Sequence, residues 1–537
     1  MGWLLMSTVE VFSEDERRVL TPYFTNVDRP VFALRNLPEV VKGALFARYS
    51  RSAKSLRRLF LDEFLDQVST TTVTAEVGIQ RADRLFERVF DEYGDDSVAQ
   101  LGGAHLACEG ASNILTKILE WGRLMAYLEQ STRYISYNDR VGGHWKYLIP
   151  TELQDPRLRQ RYMVGLDLAF ETYASWIAPL EGYYRAKYPK EPTDPEGVYK
   201  RTIRAKALDT LRGLLPAATQ SNVGLFGTGQ AYEALLLRMQ VHPLSEVRDY
   251  GTMMLAELRQ VIPSFLKRVD RPDRGGRWSQ YLQDTRTATE AIAQRLVAGM
   301  AAEPSPEVVL TDFDPDGEVK VVAAALYPTC DLPDEQLLGV ARAMNTQQRA
   351  ALLQAYVGER DNRRHKPGRA FERTGYRFDI LTDYGAFRDL QRHRLLTLEW
   401  QALSPRHGYA VSEAVQEAGA SSAWQRVMET SAELYDDLRS GGLAQIAPYA
   451  VSMAYRVRFY MELNAREAMH MIELRTSPQG HPAYRRVCQT MHRLIDEQAG
   501  HHAIAAAMSF TDHSNVELER LGAERASERR RQQRESH

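Results

Sequence analysis

Apolar positions recur at helical spacing over residues 38–66, 100–129, 157–188 and 246–300, with Gly-, Pro- and Asp-rich breaks at 189–196 and 270–276. That pattern predicts long helices through the first half. After Pro304-Ser305-Pro306 the pattern changes. Asp314-Pro315-Asp316-Gly317 has the composition of a turn, Val319-Lys320-Val321-Val322-Ala323-Ala324-Ala325-Leu326 predicts a strand, and Pro333-Asp334-Glu335 opens a helix. The first half begins alike, with Val31-Phe32-Ala33-Leu34 as a short strand and a helix entered through Leu37-Pro38-Glu39. The chain therefore divides near residue 300. Faint internal repetition supports the division: Arg123 to Tyr134 can be laid on Arg394 to Pro405, and Leu215-Pro216 on Ala447-Pro448, with no single offset.

Composition narrows the class. At 537 residues, 44% hydrophobic and 26% charged, the chain has an ordinary globular make-up with room for two to four domains. A formal charge of -2 gives no field for non-specific nucleic-acid binding, so basic side chains must act locally. Cys108, Cys330 and Cys488 have no ligand spacing, which predicts a reducing compartment and no structural metal. No apolar run approaches the ~18 residues of a membrane span. Trp3-Leu4-Leu5-Met6 lacks the basic flank of a secretory signal, so the expected location is cytoplasmic, with no membrane or nucleic-acid partner. Residues 524–537 are charged and polar, as in a solvated helix end or tail.

Three segments carry candidate chemistry. Arg392-His393-Arg394, placed by the pattern on a helix, would fan two guanidinium groups and an imidazole around a phosphate or ring system, or form the exposed basic turn of an amphipathic helix. In Asn464-Ala465-Arg466-Glu467-Ala468-Met469-His470, helical spacing puts Arg466 and His470 on one face, and Arg475 returns three turns on to the stripe of Asn464. Arg475 could equally complement the carbonyl end of that helix. In Glu129-Gln130-Ser131-Thr132-Arg133-Tyr134, an extended run would point Ser131 and Arg133 to one side, where a hydroxyl and a guanidinium can enclose a phosphate; the alternative is a serine turn with one surface arginine.

Together these segments resemble the flavin-dependent thymidylate synthases of the ThyX type. In that family Arg-His-Arg, seven residues and Ser-x-Arg-Tyr form one run; here the two parts stand more than two hundred residues apart. The second half is similar to the family at Arg392, His393, Arg394, Asn464, Arg466, His470 and Arg475, but Ala402 replaces the serine and no arginine precedes Ala447-Pro448. The first half has Trp121-Gly122-Arg123 in place of Arg-His-Arg and Gly227-Thr228-Gly229-Gln230 in place of the Asn-x-Arg segment, yet keeps Ser131, Arg133 and Arg212. Gly94-Asp95-Asp96-Ser97 and Arg364-His365-Lys366-Pro367 each resemble part of a flavin loop.

The resemblance implies an α/β (α+β) fold of two tandem ThyX-like domains, each a twisted sheet with long helices, over residues 28–300 and 301–515, with 516–537 as a charged tail. It implies reductive methylation of deoxyuridine monophosphate with FAD, and with NADPH and methylenetetrahydrofolate as co-substrates. The nucleotide would be held by Glu129, Gln130, Ser131, Thr132, Arg133, Arg212, Gln391 and Arg392. FAD would be held by Arg392, His393, Arg394, Asn464, Arg466, His470, His365 and Ser97, and Arg475 would stabilise charge on the base. The family tetramer implies a homodimer of this double chain. A different flavin-dependent pyrimidine-nucleotide modification, or a flavin and nucleotide binder without turnover, stays open on these residues.

Overall fold

Two antiparallel sheets carry the repeated plan of the chain. The first has strands β1 (Gly103–Ser112), β2 (Met125–Glu129) and β3 (Gln220–Thr228) in the order β1-β3-β2. The second has β4 (Val308–Phe313), β5 (Gly375–Asp383), β6 (Leu396–Trp400) and β7 (Arg456–Asn464) in the order β4-β5-β7-β6. Alternation places Tyr376, Phe378 and Ile380 of β5 beside Leu463, Met461 and Phe459 of β7, all buried on one face. The helix Pro482–Glu497 supplies Val487, Cys488, Met491 and Ile495 to the same core at helical spacing. This computed structural model describes residues 10–28, 32, 34–39, 41–42, 44–45, 54–65, 100–133, 135–192 and 194–514.

The two sheets repeat one another. Ser112 ends β1 and caps the helix Asn113–Leu119, as Asp383 ends β5 and caps Tyr384–Leu390. That offset of 271 also relates Met125 of β2 to Leu396 of β6. Later, Thr228 caps Gly229–Gln240 and Asn464 caps Ala465–Arg475, at an offset of 236. The repeat thus has two offsets, and the longer first half takes up its surplus in the helices Pro156–Lys187 and Glu196–Leu211.

Several local expectations need correction. Residues 319–326 lie in a helix, Gly317–Leu326, because three consecutive alanines favour helix and a short apolar run fits either state. The Asp314 turn does precede it, with Asp316 N–H on Asp314 Oδ1 at 3.0 Å. Residues 100–129 form strand, short helix and strand; Gly103 to Glu109 is rich in small residues, which hides its period-two burial. Near residue 31, Leu34 makes only an isolated bridge with Phe24. Arg392, His393 and Arg394 follow the helix that ends at Leu390 and lead into β6, so they occupy a helix-to-strand corner. Leu215-Pro216 corresponds to Val451-Ser452 at the 236 offset, and Pro216 and Ser452 pair directly. The helices expected at 157–188 and after Pro333 are present, as Pro156–Lys187 and Asp334–Ala343. Residues 524–537 and Ser97 lie outside the described residues.

The compact units are not the two sequence halves. The smaller comprises residues 1–109, 124–129 and 222–300; the larger comprises 110–123, 130–221 and 301–537. Residues 130–221 of the first half thus fold together with the second half.

Candidate functional site

Within the larger unit, segments 213–218 and 449–454 meet by reciprocal backbone bonds. Ala217 N–H donates to Val451 O at 2.8 Å and Met453 N–H to Leu215 O at 2.9 Å; Ala218 N–H donates to Tyr449 O and Ala454 N–H to Gly213 O. At the 236 offset each bond is the image of its partner. This is the self-complementary pairing of a two-fold interface, built inside one chain.

That junction brings Arg133 and Arg212 of the first half to Asp389, Arg392 and Arg475 of the second. Arg212 Nη1 stands 3.5 Å from Asp209 Oδ1 and 3.3 Å from Asp389 Oδ2, and Arg392 pairs with Asp389 Oδ1. Arg133 Nη2 lies 3.1 Å from Asp209 Oδ2, and Arg133 Nη1 donates to Tyr484 Oη at 3.2 Å. The Arg475 guanidinium sits over the Tyr484 ring, 5.5 Å from its centroid. Burial would raise the Asp389 carboxyl, but Arg392, Arg212, Arg475 and Arg133 hold it far below the ordinary range. Asp209 is likewise raised by burial and lowered more by Arg133, His481, Arg212 and Lys206, to about 2. Burial pushes His481 itself down to about 3, so at neutral pH the basic side chains alone compensate Asp209.

Arg475 is held from behind. Its Nε–H donates to His393 Nε2 at 3.0 Å, which leaves the ring proton on Nδ1, 3.2 Å from Glu467 Oε1. Burial, and then Arg475, Arg392 and Lys366, keep His393 neutral, while burial raises Glu467. His393, Glu467 and His470 bring ligand-type atoms within 4.8 Å of one another. The set does not suit a cation: Arg475 already occupies His393 Nε2, and Lys366, Arg466 and Arg394 bear on Glu467. Gln391 donates through Nε2 to Lys117 O at 2.7 Å, and its buried Oε1 has no partner among the described residues.

The other expected residues are more dispersed. Thr132 and Arg133 form a turn in which Ser131 Oγ accepts from Arg133 N–H at 3.3 Å, so this run is a serine turn and not an extended segment; it follows a strand instead of a helix. Thr132 is buried and Gln130 half-buried. Glu129 ends β2 in the smaller unit, opposite Val223. Asn464 caps its helix by accepting from Glu467 N–H, and Arg466 donates to Pro367 O at 2.9 Å and Glu372 at 3.3 Å. Arg394 is exposed. His365 is bonded locally, to Asp361 N–H and Asn362. Asp209, Asp389, Glu467, His481 and Tyr484 were not anticipated. One signal pointed to two of them: Asp209-x-x-Arg212 and Asp389-x-x-Arg392 share a spacing that places acid and base on one helical face.

The family model described as Thy1, thymidylate synthase complementing protein, matches residues 44–264 and again 308–499. The chain belongs to this family. The two matches flank the break near residue 300. A UPF0159 protein of Chlamydia muridarum is 38% identical over 96% of this chain and 98% of its own length. Another, of Thermoplasma acidophilum, is 28% identical over 90% and 97%. A flavin-dependent thymidylate synthase of Clostridium tetani is 23% identical over 34% of this chain and 68% of its own. Among solved structures, a UMP/dUMP methylase of Streptomyces cacaoi bound with 5-Br dUMP covers 37% of this chain and 94% of its own, at 21% identity and a TM-score of 0.29, too low to carry an argument. No helix among the described residues is long and apolar enough to cross a membrane.

Proposed function

We propose that the arginine cluster of the larger unit is the nucleotide site of a flavin-dependent thymidylate synthase. The reaction is reductive methylation of deoxyuridine monophosphate, with methylenetetrahydrofolate as carbon donor and NADPH as reductant. One observation carries the reading: Arg133, Arg212, Arg392 and Arg475, drawn from both halves, converge on two ionised carboxylates, Asp209 and Asp389. A phosphate monoester near neutral pH carries a charge of about -1.5 to -2, which suits a site where arginines outnumber carboxylates.

Each residue then has a task. Ser131 and Arg133 take the phosphate. Gln391 Oε1 accepts a hydrogen bond from the nucleotide. Arg475, fixed by His393, faces the charge that develops on the pyrimidine, where one such donor is worth about 3 kcal/mol. No thiol nucleophile is required, in keeping with Cys108 and Cys488, which burial pushes up to about 11 and 12.

The flavin group fits a second set. Arg394, Arg466, Lys366 and His470 all bear on Glu467, and burial lowers His470 to about 4, leaving it neutral. The two arginines and the lysine would hold the diphosphate of FAD. When bound, the flavin supplies the hydride; the protein orients the nucleotide, excludes water and steadies charge. As proposed from the family tetramer, two chains would pair.

Incubation of the full chain with FAD, NADPH, methylenetetrahydrofolate and deoxyuridine monophosphate under anaerobic conditions should yield thymidine monophosphate. Flavin-loaded protein that makes none would overturn the reading.

A further inference from the structure

A cavity of about 570 Å³ opens on the opposite edge of Arg212 from Asp389. Of the nucleotide cluster, Asp209, Arg212 and His481 line it, while Ser131, Arg133, Arg392 and Arg475 do not. Arg212 Nη1 is engaged by Asp209 and Asp389, but Nη2 is buried with no hydrogen-bond partner among the described residues, on a side chain 4% exposed. The Nε–Nη2 edge faces Gly385 beside the buried Asp383: a Cβ built at residue 385 would lie 3.0 Å from Asp383 Oδ1, 3.1 Å from Nε and 3.3 Å from Nη2. Burial raises the Asp383 carboxyl above its ordinary range, so it can meet an oxyanion as a protonated partner. Glycine keeps this edge of the guanidinium uncovered. A second orphan donor lines the same cavity, since Trp424 Nε1, on an indole 4% exposed, also lacks a partner. His481, Pro482 and Ala483 bring the N-terminus of the helix Pro482–Glu497 to the wall, with Arg486 in its first turns. Val411, Ala414 and Met453 make another wall apolar.

Two buried donors without acceptors cost stability unless a ligand satisfies them. The unpaired edge of a guanidinium matches the two oxygens of a carboxylate or phosphate, and the apolar wall suits a planar hydrocarbon body. We propose that this cavity is a second ligand site, adjoining the nucleotide cluster and sharing Arg212 with it, for a small aromatic molecule bearing an oxyanion. The oxyanion takes the Nε–Nη2 edge of Arg212, and a further acceptor takes the Trp424 N–H. Occupancy fixes the arginine that also holds Asp389, so the ligand is linked to the nucleotide cluster.

Titration calorimetry on the full chain tests this with benzoate and inorganic phosphate as separate probes, with and without saturating deoxyuridine monophosphate. At least one probe should bind while the nucleotide is present. Tighter benzoate assigns an aromatic carboxylate, and tighter phosphate assigns a phosphate-bearing ligand. Gly385→Ala covers the arginine edge without altering any charge, and should weaken that binding roughly ten-fold or more. Trp424→Phe keeps the ring but removes the donor, and should weaken it a few-fold. A thermal midpoint for Gly385→Ala close to that of the unaltered protein shows that the loss is local. Absence of binding by both probes, or unchanged affinity in Gly385→Ala, overturns the site. The titrations without nucleotide stand even if the chain never binds deoxyuridine monophosphate.

Discussion

Two corners of the larger unit, residues 117–123 and 388–394, occupy equivalent turns after equivalent helices, and they have diverged in opposite directions. At the second corner Asp389 pairs with Arg212 and Arg392, His393 accepts from Arg475, and Gln391 keeps a buried Oε1 without a partner among the described residues. At the first, Ile118, Glu120, Trp121 and Gly122 stand in those places. Glu120 is bound to Lys117, both fully buried, while Trp121 donates to Leu398 O at 3.0 Å and Arg123 to Thr397 Oγ1 at 2.9 Å. These last two contacts brace β6, the strand that leaves the second corner. Gln391 Nε2 on Lys117 O ties the corners together. A duplicated two-fold interface therefore need not keep two sites: one corner can give up ligand groups and become the support of the other. The reciprocal backbone bonds between 213–218 and 449–454 survive because packing needs them in both copies.

The largest expected effect comes from Arg475, whose equivalent in the first half is the buried apolar Met239. Arg475→Ala should lower turnover at saturating nucleotide by about 10²–10³-fold with flavin still bound. Arg133→Ala should instead raise the nucleotide concentration needed. Because both arginines meet Tyr484 within one chain, mixing the two variants should restore nothing; recovered activity would mean that sites form between chains. Next in size is flavin retention. Arg394→Ala should emerge largely colourless and Arg123→Ala yellow, read by absorbance after gel filtration. The reverse result would exchange the roles assigned to the corners.

How much of this was visible in the sequence depends on what each residue does. Arg133, Arg212, Arg392 and Arg475 were legible because they sit in motifs with fixed spacing, and the structure gathers them. The helix Ala465–Arg475 was legible from the helical spacing of Arg466, His470 and Arg475, while the role of Asn464 as its cap was not read. Val319 to Leu326 was misassigned because an eight-residue apolar run does not reveal its own period. Tyr484 and His481 escaped because their role arises from the path of the chain after Pro478, which no local pattern encodes. The membership of residues 130–221 in the larger unit escaped for the same reason: contacts across more than two hundred residues leave no periodic trace.

The Lys117–Glu120 pair tests whether the first corner has become structural. Its side chains are 1% and 0% exposed. Glu120→Gln removes the charge facing a buried ammonium and should cost about 3 kcal/mol, in the range found when one member of a buried pair is lost. The double change Lys117→Met, Glu120→Gln should cost less than the single one, since no buried charge is left behind. Urea denaturation of the flavin-free proteins measures both. An unchanged midpoint for Glu120→Gln would show that the corner does not support the fold.

The smallest expected effect concerns a feature that the halves share. His242-Pro243 and His481-Pro482 each accept a backbone N–H two residues on through Nδ1, at 3.2 Å in both cases, just before the helices Ser245–Val261 and Pro482–Glu497. Burial pushes His242 down to about 4 and His481 to about 3, with nearby arginines adding to the effect. An imidazole whose pKa falls on folding takes up protons more readily in the unfolded chain. Stability should therefore decline as pH drops from about 6.5 toward each folded value, by up to about 1.4 kcal/mol per pH unit for each ring. His481→Asn keeps a side-chain acceptor for the cap and should remove about 2 kcal/mol of the loss between pH 6.5 and 5. His242→Asn should remove a similar amount, since both folded values lie below pH 5. The measurement is denaturation at both pH values for the three proteins. If His481→Asn loses stability with the same pH slope as the unaltered chain, His481 is not held neutral, and its proton would join the arginines around Asp209 and add one positive charge to the nucleotide cluster.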